Sequence, residues 1–129
     1  MKPHQLIGLP YRLGADPIKH HAADCVSLAR TVLKYYGISS PKPTRDWYRR
    51  VRKKDFDIFK EELEKWGNET KQFNIGTVAL CKSNNGFGLA VYYEEGWINC
   101  GESEVRWSPL DGLEVVGCYS PQKSNYVKQ

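Results

Sequence analysis

The hydrophobic period changes once along this chain, and that change constrains its fold more than any other feature. Before residue 67 the apolar residues recur at helical spacing. From residue 77 onward they fall into short β-rich runs separated by Gly, Asn or Pro. In the first half Cys25, Leu28, Ala29, Val32, Leu33 and Tyr36 share one helical face, with Asp24 placed to cap the helix and Gly37 to end it. The stretch Ser39–Pro43 is a Pro-bounded loop. Thr44 can cap a second helix through about Lys54, with Trp47, Tyr48 and Val51 inward. Asp55 can cap a third, in which Phe56, Phe59, Leu63 and Trp66 face the core and Gly67 stops the run. In the second half Thr77–Cys81, Leu89–Tyr93, Trp97–Cys100, Val105–Trp107 and Val115–Tyr119 read as strands, with Glu94-Glu95-Gly96 as a hairpin turn. Helices followed by consecutive strands imply an α+β fold, with the N-terminal helices packed on a small antiparallel sheet.

Leu, Ile, Val and Phe together make 29 of 129 residues, enough with four Trp and eight Tyr to build one core. The expectation is a single domain over residues 1–129, with 121–129 a loosely ordered polar tail. No apolar stretch is long enough to span a bilayer, and the N-terminus lacks the apolar run of a secretory signal. The protein is therefore expected to be cytoplasmic when made. The cysteines at 25, 81, 100 and 118 form no CxxC pair, which argues against a zinc knuckle or a thioredoxin-like motif, and all four read as reduced thiols. No cofactor or metal is expected. His20, His21, Asp24 and Cys25 resemble a metal cluster only by composition.

Cys25 falls at the first helical position, where unpaired amides and the helix dipole favour an anion. Before it runs a glycine-bracketed loop containing an aromatic, Gly8-Leu9-Pro10-Tyr11-Arg12-Leu13-Gly14. On position alone the residue is either a small core side chain or a nucleophile. The segment GLPYRLGADPIKHHAADCVSLARTVLKYYGI resembles the opening of the NlpC-type cell-wall cysteine peptidases, which carry a glycine-bracketed loop with a tyrosine and then Asp-Cys at a helix start. GFGLAVYYEEGWINC resembles their later strand, hairpin and strand. The resemblance covers roughly residues 7–38 and 75–120.

That resemblance implies a papain-like NlpC fold and hydrolysis of peptidoglycan stem peptides between D-glutamate and a diamino acid. It makes Cys25 the nucleophile, Tyr11 the residue that helps hold the oxyanion and Asn99 the residue that orients the base. The base itself should head the strand Leu89–Tyr92, and that position is Gly88. A Cys–His dyad uses imidazole to hold the thiolate and protonate the leaving amine, and glycine does neither. The three histidines all precede Cys25, so His20 and His21 are the substitute bases the sequence offers, with solvated loop residues as their other reading. Cys100 is expected to point to the face opposite Asn99.

The positive charge is local. Residues 42–54 carry seven Lys and Arg against Asp46, a balance of +6 in a chain whose net charge is +4. Arg49, Arg50 and Arg52 could contact an acidic polymer or nucleic acid, or could pair with the acidic helix that follows. Trp97 and Trp107 read as core packing or as the lining of a groove. Three functions remain open: a cysteine hydrolase acting on peptidoglycan peptides, a non-catalytic structural or binding module of the same fold, and a polyanion or nucleic-acid binder. A wall-directed protein without a secretion signal would be explained by a virion that carries it, for example as a tail component with other virion proteins as partners.

Overall fold

The computed structural model of the chain describes residues 2–84 and 86–127. Four helices precede or cover a six-stranded sheet. They are α1 (Pro17–His20), α2 (Cys25–Tyr35), α3 (Arg45–Arg52) and α4 (Asp57–Trp66). The strands are β1 (Gly67–Glu69), β2 (Val78–Ser83), β3 (Gly86–Tyr93), β4 (Gly96–Cys100), β5 (Val105–Pro109) and β6 (Glu114–Pro121). The sheet order is β1-β6-β2-β3-β4-β5 and every pairing is antiparallel. The mixed α+β class follows.

Helix α2 is fixed at both ends by local chemistry. The Asp24 carboxylate accepts from the Ser27 amide at 2.7 Å while the Ser27 hydroxyl accepts from the Asp24 amide at 3.1 Å, a reciprocal cap. At the other end Gly37 takes φ +75°, its amide donating to Lys34 and that of Ile38 to Leu33. These two bonds are the paired closure that a left-handed residue after a helix allows. Helix α4 starts two residues after Asp55, with Phe56 at the cap position without a side-chain bond; the Asp55 carboxylate accepts from the Arg50 side chain at 2.7 Å and from the Asp57 amide at the helix start. Gly67 ends α4 as expected but also opens β1, where a side chain would run into the Ser120 carbonyl.

The helices pack on one face of the sheet. Leu28, Val32, Leu33, Phe59, Leu63 and Trp66 meet Val78, Leu80, Val91, Ile98 and Tyr119 in the main core. Alternation sends Ala79, Cys81, Ala90, Trp97 and Cys118 to the other face. There Phe73 lies edge-on to Trp97 with ring centroids 5.2 Å apart, and the Trp97 indole donates to Leu110 O at 3.2 Å. Trp97 is thus core, whereas Trp107 is partly exposed and bonded to Tyr93 O at 2.8 Å. The β3–β4 hairpin turns through Glu94 and Glu95, both left-handed at φ +47° and +58°.

Residues 121–127 of the expected tail run back along the body. Ser39 N–H donates to Asn125 O at 2.7 Å, Val127 N–H to Gly37 O at 2.8 Å, and the Asn125 amide to Trp66 O at 2.6 Å. Residues 128–129 lie outside the described residues. Among the described residues no helix is long and apolar enough to cross a membrane.

Candidate functional site

The loop that precedes α2 is threaded into the fold by its backbone. Tyr11 N–H donates to Ser103 O at 2.9 Å, Arg12 N–H to Ala23 O at 3.0 Å, and Ala23 N–H to Pro10 O at 3.0 Å. Gly8 and Gly14 bracket this loop at φ +96° and +81°, a conformation that glycine adopts without strain. The Gly14 amide donates to the second oxygen of Asp24 at 2.7 Å. Asp24 is therefore more than a cap. Only 2% exposed, it also takes a hydrogen bond from the Tyr48 hydroxyl and so ties the loop, α2 and α3 together. The sequence shows its capping role but not the other two bonds.

Cys25 follows directly, packed beside Leu89 and Cys100 on the helix face. Pairing of β3 with β4 begins at Ala90–Asn99, so Gly88 and Leu89 lie beyond the ladder and the strands part there. The Cys25 sulfur meets this opening and accepts from the Leu89 amide. Gly88 and Asn99 belong to the opposite face by alternation, yet the parted strands bring them to the same cleft. Tyr11, Cys25, Gly88 and Asn99, which the resemblance singles out, thus line one open cleft of about 780 Å³.

The chemistry of that cleft is not that of a prepared nucleophile. Burial pushes the Cys25 thiol up to about 12, and the neighbouring Asp24 carboxylate adds to the shift. The Leu89 and Cys25 amides pull the other way without offsetting it. At neutral pH the group is a thiol. Burial also raises the Tyr11 hydroxyl and the Cys100 thiol, with Cys25 adding to both. A side chain at Gly88 would meet open space, with no atom within 4 Å of its Cβ. Asn99 is buried and its amide is held inside the sheet, donating to Ser108 Oγ at 3.1 Å. Cys100 does point to the other face, with its sulfur 3.8 Å from Ala23 O.

The structure does not bring the substitute bases to the cleft. His20 Nδ1 accepts from the Asp16 amide at 2.8 Å within its own turn, and His21 is an exposed left-handed residue at φ +52°. His4 lies against the Tyr93 hydroxyl at 3.3 Å. None of the three lines the cleft. Among the described residues no group of three or more His, Cys, Asp or Glu side chains converges where it could hold a metal ion.

One feature of the cleft is not evident in the sequence. Lys82 from β2 and Arg106 from β5 stand on its sheet side, with Arg52 and Lys54 from the α3 side. Lys82 and Arg106 lie far in the chain from Arg52 and Lys54, and only the fold brings the two groups to one cleft. Arg50, grouped by sequence with Arg49 and Arg52, is not a free contact: it donates to Asp55 at 2.7 Å and to both oxygens of Glu61 at 2.9 and 2.7 Å. These bonds favour its charged form. No family model matches the chain, and no curated protein matches it.

Proposed function

We propose that this chain has an NlpC-like, papain-like fold whose cleft binds peptidoglycan stem peptides without hydrolysing them. One observation carries the reading. The cleft unites Tyr11, Cys25, Gly88 and Asn99, but the thiol is pushed up to about 12 and no imidazole lines the space around it. Acyl transfer at Cys25 would need a thiolate to attack and a proton for the leaving amine. Among the described residues no imidazole stands by Cys25 to do both at neutral pH. Stem peptides carry several carboxylates, and Arg52, Lys54, Lys82 and Arg106 give an extended acidic peptide cationic partners on both sides. A protein with these properties serves as a wall-recognition module, for which a virion is one setting.

A second reading, residual hydrolase activity, is favoured by the Leu89 and Cys25 amides that point at the sulfur. One experiment separates the two. The protein and its Cys25→Ala variant are mixed with a synthetic peptide containing a γ-D-glutamyl–diamino acid bond, with amide shifts followed by NMR and products by mass spectrometry. Shifts at Tyr11, Asn99 and Gly101 in both proteins, with the peptide intact, are expected. Cleavage that disappears in Cys25→Ala would make the protein an enzyme. No shifts at all would remove the wall peptide as ligand.

Gly88→His tests the geometry directly. The open space at Gly88 admits an imidazole, and a base there should draw the thiol toward its ionised form. Alkylation of Cys25 by iodoacetamide at pH 7 should accelerate at least tenfold, roughly what one pKa unit provides. An unchanged rate would mean that Gly88 does not address Cys25.

A further inference from the structure

We propose that the outer face of α3 docks the phosphate backbone of a polynucleotide, at a surface beside the peptide cleft that shares Arg52 and Tyr48 with it. Of the seven cations between residues 42 and 54, two are engaged: Arg50 with Asp55 and Glu61, and Arg49 with Asp46. Among the described residues Lys42, Arg45, Arg52, Lys53 and Lys54 form no ion pair. The acidic helix that follows therefore neutralises only Arg50, and most of the local positive charge faces solvent.

The arrangement of that charge is specific. Arg45, Arg49 and Arg52 fall at i, i+4 and i+7 and line one concavity with Gly14, Asp46 and Tyr48. The cations there are all arginine. A guanidinium presents a planar fork that meets two phosphate oxygens at once, which an ammonium cannot do. The single carboxylate in the concavity, Asp46, is held by Arg49.

The same residues argue against a protein partner. Tight protein interfaces centre on Trp, Tyr or Arg side chains enclosed in desolvated pockets. Among the described residues of this concavity the one aromatic, Tyr48, is half-buried and bonded to Asp24, and the arginines are exposed rather than enclosed. That inward bond orients α3 while leaving its arginine stripe outside. Contacts made to phosphates alone carry no sequence information, so binding should be independent of sequence.

The test uses fluorescein-labelled 20-mers, single-stranded and duplex, in anisotropy titrations from 25 to 200 mM NaCl. About three phosphate contacts should give a slope near −3 in log affinity against log salt, steeper on duplex than on single strands. Arg45→Gln/Arg49→Gln should flatten that slope by about 2. Arg45→Lys/Arg49→Lys keeps the charge and should keep the slope while losing affinity. Neither Arg45 nor Arg49 lines the peptide cleft, so wall-peptide binding by these variants reads the proposed function separately. No binding at 25 mM NaCl, or an unchanged slope in the glutamine variant of matched circular dichroism, would overturn the proposal. So would polyglutamate of equal charge binding as tightly and with the same dependence on Arg45 and Arg49.

Discussion

The cleft has two walls built on different principles. One is formed by the glycine-bracketed loop, the start of α2 and the parted strands β3 and β4. Its central carboxylate, Asp24, is buried with both oxygens bonded, and the strands behind it hold Ala90, Val91 and Ile98 at 1% exposure or less. The other wall is α3, which has no buried residue. It rests on half-buried Trp47, Tyr48 and Val51 and on the Arg50 ion pairs at its far end. A wall whose polar groups are satisfied in the core moves only if the domain unfolds, whereas a wall held by partly exposed contacts opens locally. The position of Cys25 is therefore fixed by the fold, while the width of the cleft depends on α3.

The largest effect of a single substitution is expected at the fixed wall. Asp24→Ala removes a helix cap, worth about 1 kcal/mol, and leaves the Gly14 amide without its acceptor, at a further cost of about 2 kcal/mol. Urea denaturation should show a loss of about 3 kcal/mol, well above what an exposed cap would cost. Asp24→Asn keeps one acceptor oxygen in place of two, so it serves the Ser27 amide or the Gly14 amide but not both, and should lose less than Asp24→Ala. Equal losses in the two variants would mean that the carboxylate's charge, not its bonding, holds this wall.

The next effect is one of pH. Burial raises the Cys25 and Cys81 thiols to about 12, whereas in the unfolded chain they titrate near 8.5. The folded state thus keeps protons that the unfolded state releases. Stability from this source is fully present below about pH 8.5 and is lost as pH rises toward 12, by up to about 1.4 kcal/mol per pH unit for each thiol. Over the first pH unit and a half the loss is about 2 kcal/mol per thiol. Denaturation midpoints between pH 7 and 10.5 should fall, and fall less in Cys25→Ala/Cys81→Ala. An identical slope in that variant would show that the thiols are not the groups responsible.

The two walls also differ in how far the sequence reveals them. The class of fold, the extent of α2 and the alternation of β3 and β4 follow from residue period, because burial on one face leaves a period of 3.6 or 2 in the chain. The resemblance singles out Tyr11, Cys25, Gly88 and Asn99 by their roles, and their lining of one cleft is a matter of geometry. The geometry has its own cause, the point at which β3 and β4 cease to pair. What the sequence does not disclose are choices among chemically equal partners. Asp55 could serve the start of α4 or hold Arg50, and it does both, accepting from the Asp57 amide and from the Arg50 guanidinium. Asp24 could cap α2 alone, but it also receives Gly14 and Tyr48 from segments whose approach depends on packing. Cys25 stands where a helix dipole favours a thiolate, yet desolvation outweighs that pull, and desolvation cannot be read from position along a chain.

The smallest effect belongs to α3 and would sharpen the contrast most. The Thr44 hydroxyl accepts from the Trp47 amide at 3.4 Å, a long cap bond at an exposed site. Thr44→Ala should cost about 0.5–1 kcal/mol, and the cost should appear locally. Native-state hydrogen exchange would show faster opening of the amides from Trp47 to Lys54, with those of α2 and β3 unchanged because they exchange only when the core opens. If α2 and β3 lose protection together with α3, the two walls form one cooperative unit, and the width of the cleft is then set by the same core that fixes Cys25.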